Sequence, residues 1–125
     1  MCDPRLKQIA FRAIEISPID FGIPSTGGAR TAEVQKGLFD LGKSKCDGYI
    51  RKSKHQIQNG YEWAKAIDFY AYVSGRANWN KHNLAVVASA FLQSACELGY
   101  IIEWGGLWIT FKDYPHIQLI ETEIT

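Results

Sequence analysis

The stretch Trp63-Ala64-Lys65-Ala66-Ile67-Asp68-Phe69-Tyr70-Ala71-Tyr72-Val73 decides the fold predicted for this chain. It is rich in aromatic and β-branched residues, which favour the extended backbone of sheets. We therefore predict a central strand over residues 63–73. Asp68 lies inside this segment, so a rigid element would hold its carboxylate in place.

Three other segments have the spacing of apolar residues that is typical of helices. The first covers about 3–15 and begins around Pro4, a residue suited to a helix start. The second begins at Thr31, a good N-cap, and ends at Gly42, a C-cap signal. The third begins at Asn80 and ends at Gly99. The apolar stripes that predict these helices are Leu6, Ile9, Ala10, Ala13 and Ile14 in the first, Val34, Leu38 and Leu41 in the second, and Leu84, Val87, Ala88, Phe91, Leu92, Ala95 and Leu98 in the third.

Short strands are expected over 19–23, 101–104 and 116–119, where apolar residues alternate or cluster between turn signals. With the central strand and the helices, they predict the α+β class: a small antiparallel sheet flanked by helices. The chain has 125 residues, of which 46% are hydrophobic, which is enough for one core and not for two. We therefore expect a single domain over residues 1–125.

The charge and the cysteine content argue against several kinds of partner and of structural framework. The net charge is +1 and the Lys and Arg residues are scattered, so nucleic acid is not an expected partner. Cys2, Cys46 and Cys96 are odd in number and far apart, which argues against a disulfide framework and for reduced thiols. No apolar run has the length of a signal peptide core or the roughly 18 residues of a membrane span. We expect synthesis in a cytoplasm, no membrane insertion and a monomer.

Two further stretches, Ser53-Lys54-His55 and Asp113-Tyr114-Pro115-His116, add two histidines and a second carboxylate to Asp68. Catalytic zinc takes three ligands of the His, Asp or Glu type and keeps a fourth position for water, whose pKa it lowers to about 7. His55, Asp68 and His116 meet that need. Asp113 precedes His116 closely enough to lie beside the metal as a general base. These residues therefore predict a catalytic zinc centre.

Each of these residues also has a plainer interpretation when it is taken alone. His55 fits a polar loop, and Asp68 fits a turn or the end of a strand. His116 fits a half-buried histidine packed among its apolar neighbours. Ligands drawn from separate segments give a weaker local signal than two histidines on one helix.

Several motifs, in a fixed order, resemble a known family. They are Gly28-Ala29-Arg30-Thr31-Ala32-Glu33-Val34-Gln35, Gly42-Lys43-Ser44, Ser53-Lys54-His55-Gln56, Ala66-Ile67-Asp68, Trp104-Gly105-Gly106 and Phe111-Lys112-Asp113-Tyr114-Pro115-His116. Over most of its length the chain resembles the zinc peptidases that join VanY-like D-alanyl-D-alanine carboxypeptidases to phage L-alanyl-D-glutamate endopeptidases. This resemblance implies a hedgehog/D-Ala-D-Ala peptidase-like fold with the zinc site at the edge of the sheet. The roles it implies are zinc ligand for His55, Asp68 and His116, catalytic base for Asp113, and substrate binding for Arg30, Gln35 and Ser53.

The function implied by the resemblance is hydrolysis of the L-alanyl-D-glutamate bond in the stem peptide of bacterial peptidoglycan, as in a phage endolysin. Such an enzyme is made in the host cytoplasm and reaches the wall after release through a holin. Two alternatives stay open at this stage. One is a D-alanyl-D-alanine carboxypeptidase, and the other is a non-catalytic module that binds the cell wall.

Two departures from the family pattern accompany the resemblance. Residues 56–63 separate His55 from Ala66-Ile67-Asp68 by more than the family's usual Ser-x-His-x-x-Gly-x-Ala-x-Asp spacing, which predicts an insertion and leaves the match of Gly60 open. Leu107 stands where the family usually has an Asp between Gly-Gly and Trp.

A few polar and aromatic residues have two interpretations each. The basic segments 43–45 and 51–54 fit a solvated loop beside the site, with attraction to an anionic wall polymer as the alternative. Glu103 is either a partner for a ligating histidine or a strand-edge carboxylate. His82 fits an exposed first turn of a helix better than a metal ligand. The aromatic residues that form either core or a wall of the cleft are Trp104, Trp108, Phe111 and Tyr114.

Overall fold

Three helices and six short strands form the described part of the chain, which in this computed structural model is residues 2–24, 27–49, 53–57 and 63–121. The predicted α+β class is confirmed, but the strands form two small antiparallel sheets instead of one. A 3-10 turn covers Gly105–Leu107. In chain order the elements are α1 (Pro4–Ile16), β1 (Asp20–Gly22), α2 (Ala32–Asp40), β2 (Ala66–Asp68), β3 (Tyr70–Val73), β4 (Arg76–Asn78), α3 (Lys81–Leu98), β5 (Ile101–Trp104) and β6 (His116–Ile120).

Each sheet has three strands. In the first sheet β3 lies between β1 and β4, and in the second β6 lies between β2 and β5. Ser74 and Gly75 connect β3 to β4 with positive φ angles of 53° and 76°, as the tightest hairpin turns require. The register of the second sheet pairs Asp68 with His116. Two of the predicted metal ligands are therefore cross-strand neighbours at the end of β2 and the start of β6.

The prediction of one continuous strand over 63–73 is wrong, because the chain passes from one sheet to the other at Phe69. β2 ends just before this residue and β3 begins just after it. The Phe69 ring is fully buried and stacks on Phe91 of α3, with 5.2 Å between the ring centroids. Its backbone N–H donates to the carbonyl of Pro115 at 2.9 Å. Burial of this ring against α3 outweighs the local preference for an unbroken strand.

The helix ends agree with the sequence signals to within two residues. The side chains of Asp3, Thr31 and Asn80 each accept a hydrogen bond from a backbone N–H in the first turn of their helix. Gly42 and Gly99 follow α2 and α3 with φ angles of 74° and 81°. Glycine adopts this left-handed conformation without the steric cost that a Cβ imposes, so both act as helix stops.

The apolar stripe predicted for α2 is not its buried face. Val34 and Leu41 are exposed, whereas Gln35 is fully buried. The Gln35 side chain accepts from Arg30 at 3.0 Å and donates to the hydroxyl of Ser44 at 2.7 Å. The buried face of α2 is therefore held by the hydrogen bonds of the Gln35 side chain, because this helix lies beside a polar site and away from the main core.

The core lies around α3, which packs on α1 and contacts β3 of one sheet and β5 of the other. The predicted stripes of these two helices supply most of it, although Leu92 and Leu98 are exposed. The buried apolar residues of the cluster are Leu6, Ile9, Ala13, Ile67, Phe69, Ala71, Leu84, Val87, Ala88, Ala90, Phe91, Ala95, Ile117 and Leu119.

None of the helices in the described ranges combines the length and apolar character of a membrane span.

A buried ion pair attaches the N-terminal segment to the second sheet. Asp3 is 1% exposed and accepts from Nζ of Lys65 at 2.6 Å and from Arg5 at 2.8 Å. Glu121 completes the group, with contacts to Arg5 at 2.6 Å and to Lys65 at 2.8 Å. We call these four residues the N-terminal ion cluster.

Residues 58–62 lie outside the described part, so the insertion over 56–63 and the role of Gly60 stay predictions.

Candidate metal centre

Three side-chain atoms from His55, Asp68 and His116 converge on one point. Nε2 of His55 lies 3.1 Å from Oδ1 of Asp68 and 3.3 Å from Nδ1 of His116, and the last two atoms are 3.3 Å apart. Zinc binds such nitrogen and oxygen atoms at about 2.0–2.1 Å in tetrahedral geometry. The edge of a tetrahedron with that radius is about 3.3–3.4 Å. The three atoms are thus spaced as the ligands of one metal ion of this size.

The outer atoms of all three residues are engaged in ways that leave the converging atoms available. Nδ1 of His55 is 2.9 Å from the carbonyl of Gly28, and Nε2 of His116 is 2.9 Å from the amide oxygen of Gln118. Because these oxygens only accept, the outer nitrogens carry protons, and the inner nitrogens are the ones that give up theirs when a cation binds. Such outer contacts fix the tautomer and orientation of metal-binding histidines. The site is therefore preorganised for a cation.

Backbone contacts position His55, which no strand or helix carries. It lies in a turn where its N–H donates to Oγ of Ser53 at 3.2 Å. Its carbonyl accepts from the N–H of Arg30 at 2.7 Å. Nearby, the N–H of Asp68 donates to the carbonyl of Gly27 at 2.6 Å. The Gly27–Arg30 segment therefore lies between the turn and β2 and fixes the distance between His55 and Asp68.

Asp113 lies beside the three converging atoms. Its Oδ2 is 3.8 Å from Nδ1 of His116, which is outside hydrogen-bonding distance. Its N–H donates to the carbonyl of Gly105 at 3.0 Å, and that carbonyl also accepts from Trp108 at 3.2 Å. A Cβ on Gly105 would overlap the carbonyl oxygen of Asp113. The hydrogen bonds to the Gly105 carbonyl thus hold the two ends of the loop 105–113 together. Because Gly105 has no side chain, the backbone of Asp113 can lie directly against it.

The surroundings at the centre shift the pKa values of Asp68 and Asp113 in opposite directions. Burial alone raises the pKa of Asp68, but hydrogen bonds from His116 and His55 and the positive charge of these rings outweigh it and hold that pKa well below its usual range. Burial raises the pKa of Asp113, and the negative charge of Asp68 raises it further. One carboxylate is therefore held in its charged form, as a ligand requires, and its neighbour binds a proton more readily, as a base requires.

The residues predicted for substrate binding lie close to the centre and are largely buried; Arg30 and Ser53 line the cleft, and Gln35 does not. Arg30 donates to Oδ2 of Asp68 at 2.7 Å and to Gln35 at 3.0 Å, and its side chain is 9% exposed. Gln35 is fully buried. Ser53 is buried in the His55 turn and lines the cleft at the centre. In this arrangement Arg30 contacts Asp68 directly and Gln35 holds Arg30, and direct contact of either with a substrate stays a prediction.

The centre opens into a cleft of about 440 Å³. Trp108 forms part of one wall, and its ring lies 5.1 Å from that of His116. The indole N–H of Trp108 donates to Glu103, so this carboxylate holds Trp108 in place and is not a partner of either histidine of the candidate centre. Trp104 and Tyr114 pack against the core instead. Residues that line the cleft are Arg30, Lys43, Ser44, Lys45, Cys46, Ser53, Lys54, His55, Asp68, Trp108, Phe111, Asp113, Pro115, His116 and Gln118.

Sequence reasoning missed Gln118, which holds the proton-bearing nitrogen of His116. The signal was present, because residues two apart on a strand face the same side. A glutamine two positions after His116 on β6 is therefore placed to reach the imidazole ring. Leu107, which replaces the Asp usual in the family, is 68% exposed. His82 is exposed on the first turn of α3 and does not join the centre.

The fold and the site first define a class: a small α+β protein in which two histidines and an aspartate converge where a turn meets the ends of two paired strands. The family model for the phage L-alanyl-D-glutamate peptidase matches residues 1–122. This chain therefore belongs to the phage L-alanyl-D-glutamate peptidase family.

Individual relatives are consistent with this assignment. The chain is 34% identical over 115 residues to the L-alanyl-D-glutamate peptidase of Escherichia phage T5, covering 89% of this chain and 75% of that protein. It is 29% identical over 106 residues to the peptidoglycan L-alanyl-D-glutamate endopeptidase CwlK of Bacillus subtilis (strain 168), covering 76% and 59%. The crystal structure of the Serratia marcescens L-Ala D-Glu endopeptidase ChiX superposes with a TM-score of 0.78 at 30% identity, covering 95% and 80%.

Proposed function

We propose that this chain is a zinc-dependent peptidoglycan endopeptidase of the endolysin type, which hydrolyses the L-alanyl-D-glutamate bond of the stem peptide. The observation that carries the proposal is the convergence of one atom each from His55, Asp68 and His116, with mutual distances of 3.1–3.3 Å. The names of the relatives from phage T5, Bacillus subtilis and Serratia marcescens supply the bond that is cut. The proposal covers one catalytic domain over residues 1–125.

The donor set favours zinc over harder cations. Two imidazole nitrogens and one carboxylate oxygen suit zinc, whereas magnesium and calcium prefer sites made of oxygen atoms only. Bound by His55, Asp68 and His116, zinc would supply a Lewis acid for the scissile carbonyl and lower the pKa of water. Arg30 supports the set, because its hydrogen bond occupies Oδ2 of Asp68 and leaves Oδ1 directed at the histidines.

Asp113 is proposed as the general base. Its carboxylate lies next to the converging atoms without hydrogen-bonding to them, so it is near enough to take a proton from the attacking water. The raised pKa makes Asp113 a better proton acceptor than an ordinary aspartate. The same oxygen then carries the proton to the amine of the departing glutamate. This return is necessary because an amide nitrogen leaves readily only after it is protonated.

The cleft walls position the peptide for this step. Trp108 covers one side of His116 and shields the ligand from solvent. Lys112 donates to the carbonyl of Trp108 at 2.8 Å and so stiffens the loop that carries the indole. A peptide held between this loop and the opposite wall at Ser53 would meet both the metal ligands and Asp113. Fixed geometry of this kind accounts for a large part of enzymatic rate enhancement.

Digestion of purified peptidoglycan, with mass analysis of the products, tests the function. The zinc-loaded protein should release fragments with new L-alanine carboxyl ends and new D-glutamate amino ends. Loss of terminal D-alanine without these ends would instead identify a D-alanyl-D-alanine carboxypeptidase. Unchanged peptidoglycan in the presence of stoichiometric zinc would identify a wall-binding module. Synthesis in a host cytoplasm and release through a holin belong to the same proposal, supported by the relative from phage T5.

A further inference from the structure

The ammonium group of Lys45 lies over the Phe111 ring in the cleft of the candidate metal centre. Its Nζ lies 4.8 Å from the ring centroid of Phe111 on the loop 105–113. Both residues line the cleft that contains His55 and Asp113. The contact therefore joins two segments of the cleft lining, residues 43–46 and the loop 105–113.

The contact holds Lys45 in place without neutralising it. In the described ranges, no carboxylate lies within 4.0 Å of Lys45 Nζ, whereas Lys36 pairs with Asp40 at 3.0 Å. The Phe111 ring is 51% exposed, and a cation over an exposed ring is bound weakly. Phe111 also has a φ of 36°, an uncommon conformation for a residue with a side chain. Strain of this kind is often found at functional sites, where the surrounding structure maintains it.

The proposed substrate carries a negative charge beside the bond that is cut. Glutamate has two carboxyl groups, and at most one of them continues the peptide chain. The other remains as a carboxylate only a few bonds from the scissile nitrogen, so the cleft needs a cation there. Arg30 is poorly suited to bind this carboxylate, because its guanidinium already donates hydrogen bonds to Asp68 and Gln35 and its side chain is 9% exposed.

We propose that Lys45 binds the free carboxylate of the substrate's D-glutamate and sets the preference of the cleft for an acidic residue after the scissile bond. This inference rests on the proposed function and names the residue that recognises its substrate. A charge-assisted hydrogen bond to a carboxylate is stronger than the contact with an exposed ring, so the substrate displaces Phe111 from Lys45. Lys43 and Lys54 also line the cleft and add to its positive charge.

Two synthetic stem peptides that differ only at D-glutamate, one with the free carboxylate and one with its amide, separate recognition from catalysis. Zinc-loaded wild-type protein should cleave the acidic peptide with a kcat/KM roughly tenfold or more above that of the amide peptide. Lys45→Met should lower kcat/KM for the acidic peptide alone and bring the ratio close to one. Lys45→Arg, which keeps the charge, should restore most of the preference.

Lys36→Met is the matched control, because Lys36 also lies over a phenylalanine ring, that of Phe39 at 5.0 Å, but on α2 and outside the cleft. It should keep the wild-type preference. An unchanged ratio in Lys45→Met, or loss of the ratio in Lys43→Met instead, would overturn the assignment while leaving the endopeptidase function in place. Failure of the wild-type protein to cut either peptide would overturn the proposed function, and the inference with it. Methionine packs well on aromatic rings, so the variant should fold.

Discussion

Nη2 of Arg30 donates a hydrogen bond to Oδ2 of Asp68 at 2.7 Å, and Oδ1 of the same carboxylate faces the two histidines. One oxygen of the Asp68 carboxylate therefore accepts a hydrogen bond from Arg30, and the other is directed at the candidate metal position. The resemblance assigned Arg30 to the substrate, yet its nearest polar partners are Asp68 and Gln35. A support of this kind usually changes metal affinity when it is removed.

Arg30→Ala should weaken zinc binding by about tenfold to a hundredfold, because Asp68 then loses the donor that orients it. Zinc titration against a competing chelator measures the effect. Arg12→Ala is the matched control, since Arg12 also pairs with a carboxylate, Glu97 at 2.8 Å, but on the exposed surface. Unchanged zinc affinity with a raised KM in Arg30→Ala would return this residue to the substrate-binding role that the sequence predicted.

His55→Ala and His116→Ala should each remove zinc binding and peptidoglycan hydrolysis together, because two protein ligands do not hold a catalytic zinc ion. Metal content after dialysis against micromolar zinc is the measurement. His82→Ala provides the comparison, since the chain has 3 histidines and this one is exposed on α3. Stoichiometric zinc in His55→Ala or His116→Ala contradicts the ligand assignment.

Asp113→Asn should keep zinc and slow turnover by about a hundredfold or more, because an amide of nearly the same size cannot accept a proton. Metal content and hydrolysis must be measured on one preparation. Asp20→Asn, an exposed change on β1, serves as the control. Zinc loss in parallel with activity would make Asp113 a ligand. Near-normal turnover with zinc bound would mean that another group in the cleft takes the proton.

Gly105→Ala should lower activity by about tenfold to a hundredfold with zinc still bound, since the new methyl group overlaps the carbonyl of Asp113 and displaces the base. Gly37→Ala makes the same chemical change in the open interior of α2, where nothing lies within 4 Å. That variant should be more stable by about 0.5–1 kcal/mol and fully active. Equal activities of the two variants would show that the close approach at Gly105 does not position Asp113.

Asp3→Asn should destabilise the protein at neutral pH and much less in acid. The hydrogen bond from Arg5, aided by Lys65, holds the pKa of Asp3 well below its ordinary value of 3.8. A lowered carboxyl pKa contributes stability that is complete above the ordinary value and lost as the pH falls below it. Asparagine still caps α1, so the change removes mainly the charge. We expect a loss of about 2 kcal/mol or more at pH 7.

Urea unfolding of the wild type and Asp3→Asn between neutral pH and pH 3 tests this expectation. The difference in unfolding free energy should shrink as the pH falls below 3.8, because the carboxyl group of Asp3 then takes up a proton in the unfolded chain while it stays charged in the folded protein. Glu121, whose pKa the Arg5 and Lys65 hydrogen bonds lower to about 2, belongs to the same cluster and shifts in the same direction. A difference that stays constant with pH would mean that packing, and not charge, holds the N-terminal segment.

The sequence by itself determined the helix limits, the α+β class and the four residues of the candidate centre. These features depend on local chemistry: a capping side chain, a glycine after a helix, an apolar period of a helix, and residue types able to bind a metal. The order of short motifs added the family, since His55, Asp68, Asp113 and His116 occur among neighbours that resemble its other members.

Only the tertiary structure decided how these pieces meet. The division of 63–73 into strands of two sheets depends on Phe69 packing against α3, a contact between residues distant in sequence. The burial of Gln35 and the turn of Arg30 toward Asp68 likewise depend on segments that come together after folding. Hydrogen bonds, burial and charge act through space, so no local pattern in the chain specifies which polar groups become partners. For the same reason, the position of Lys45 over the Phe111 ring emerges from the fold alone.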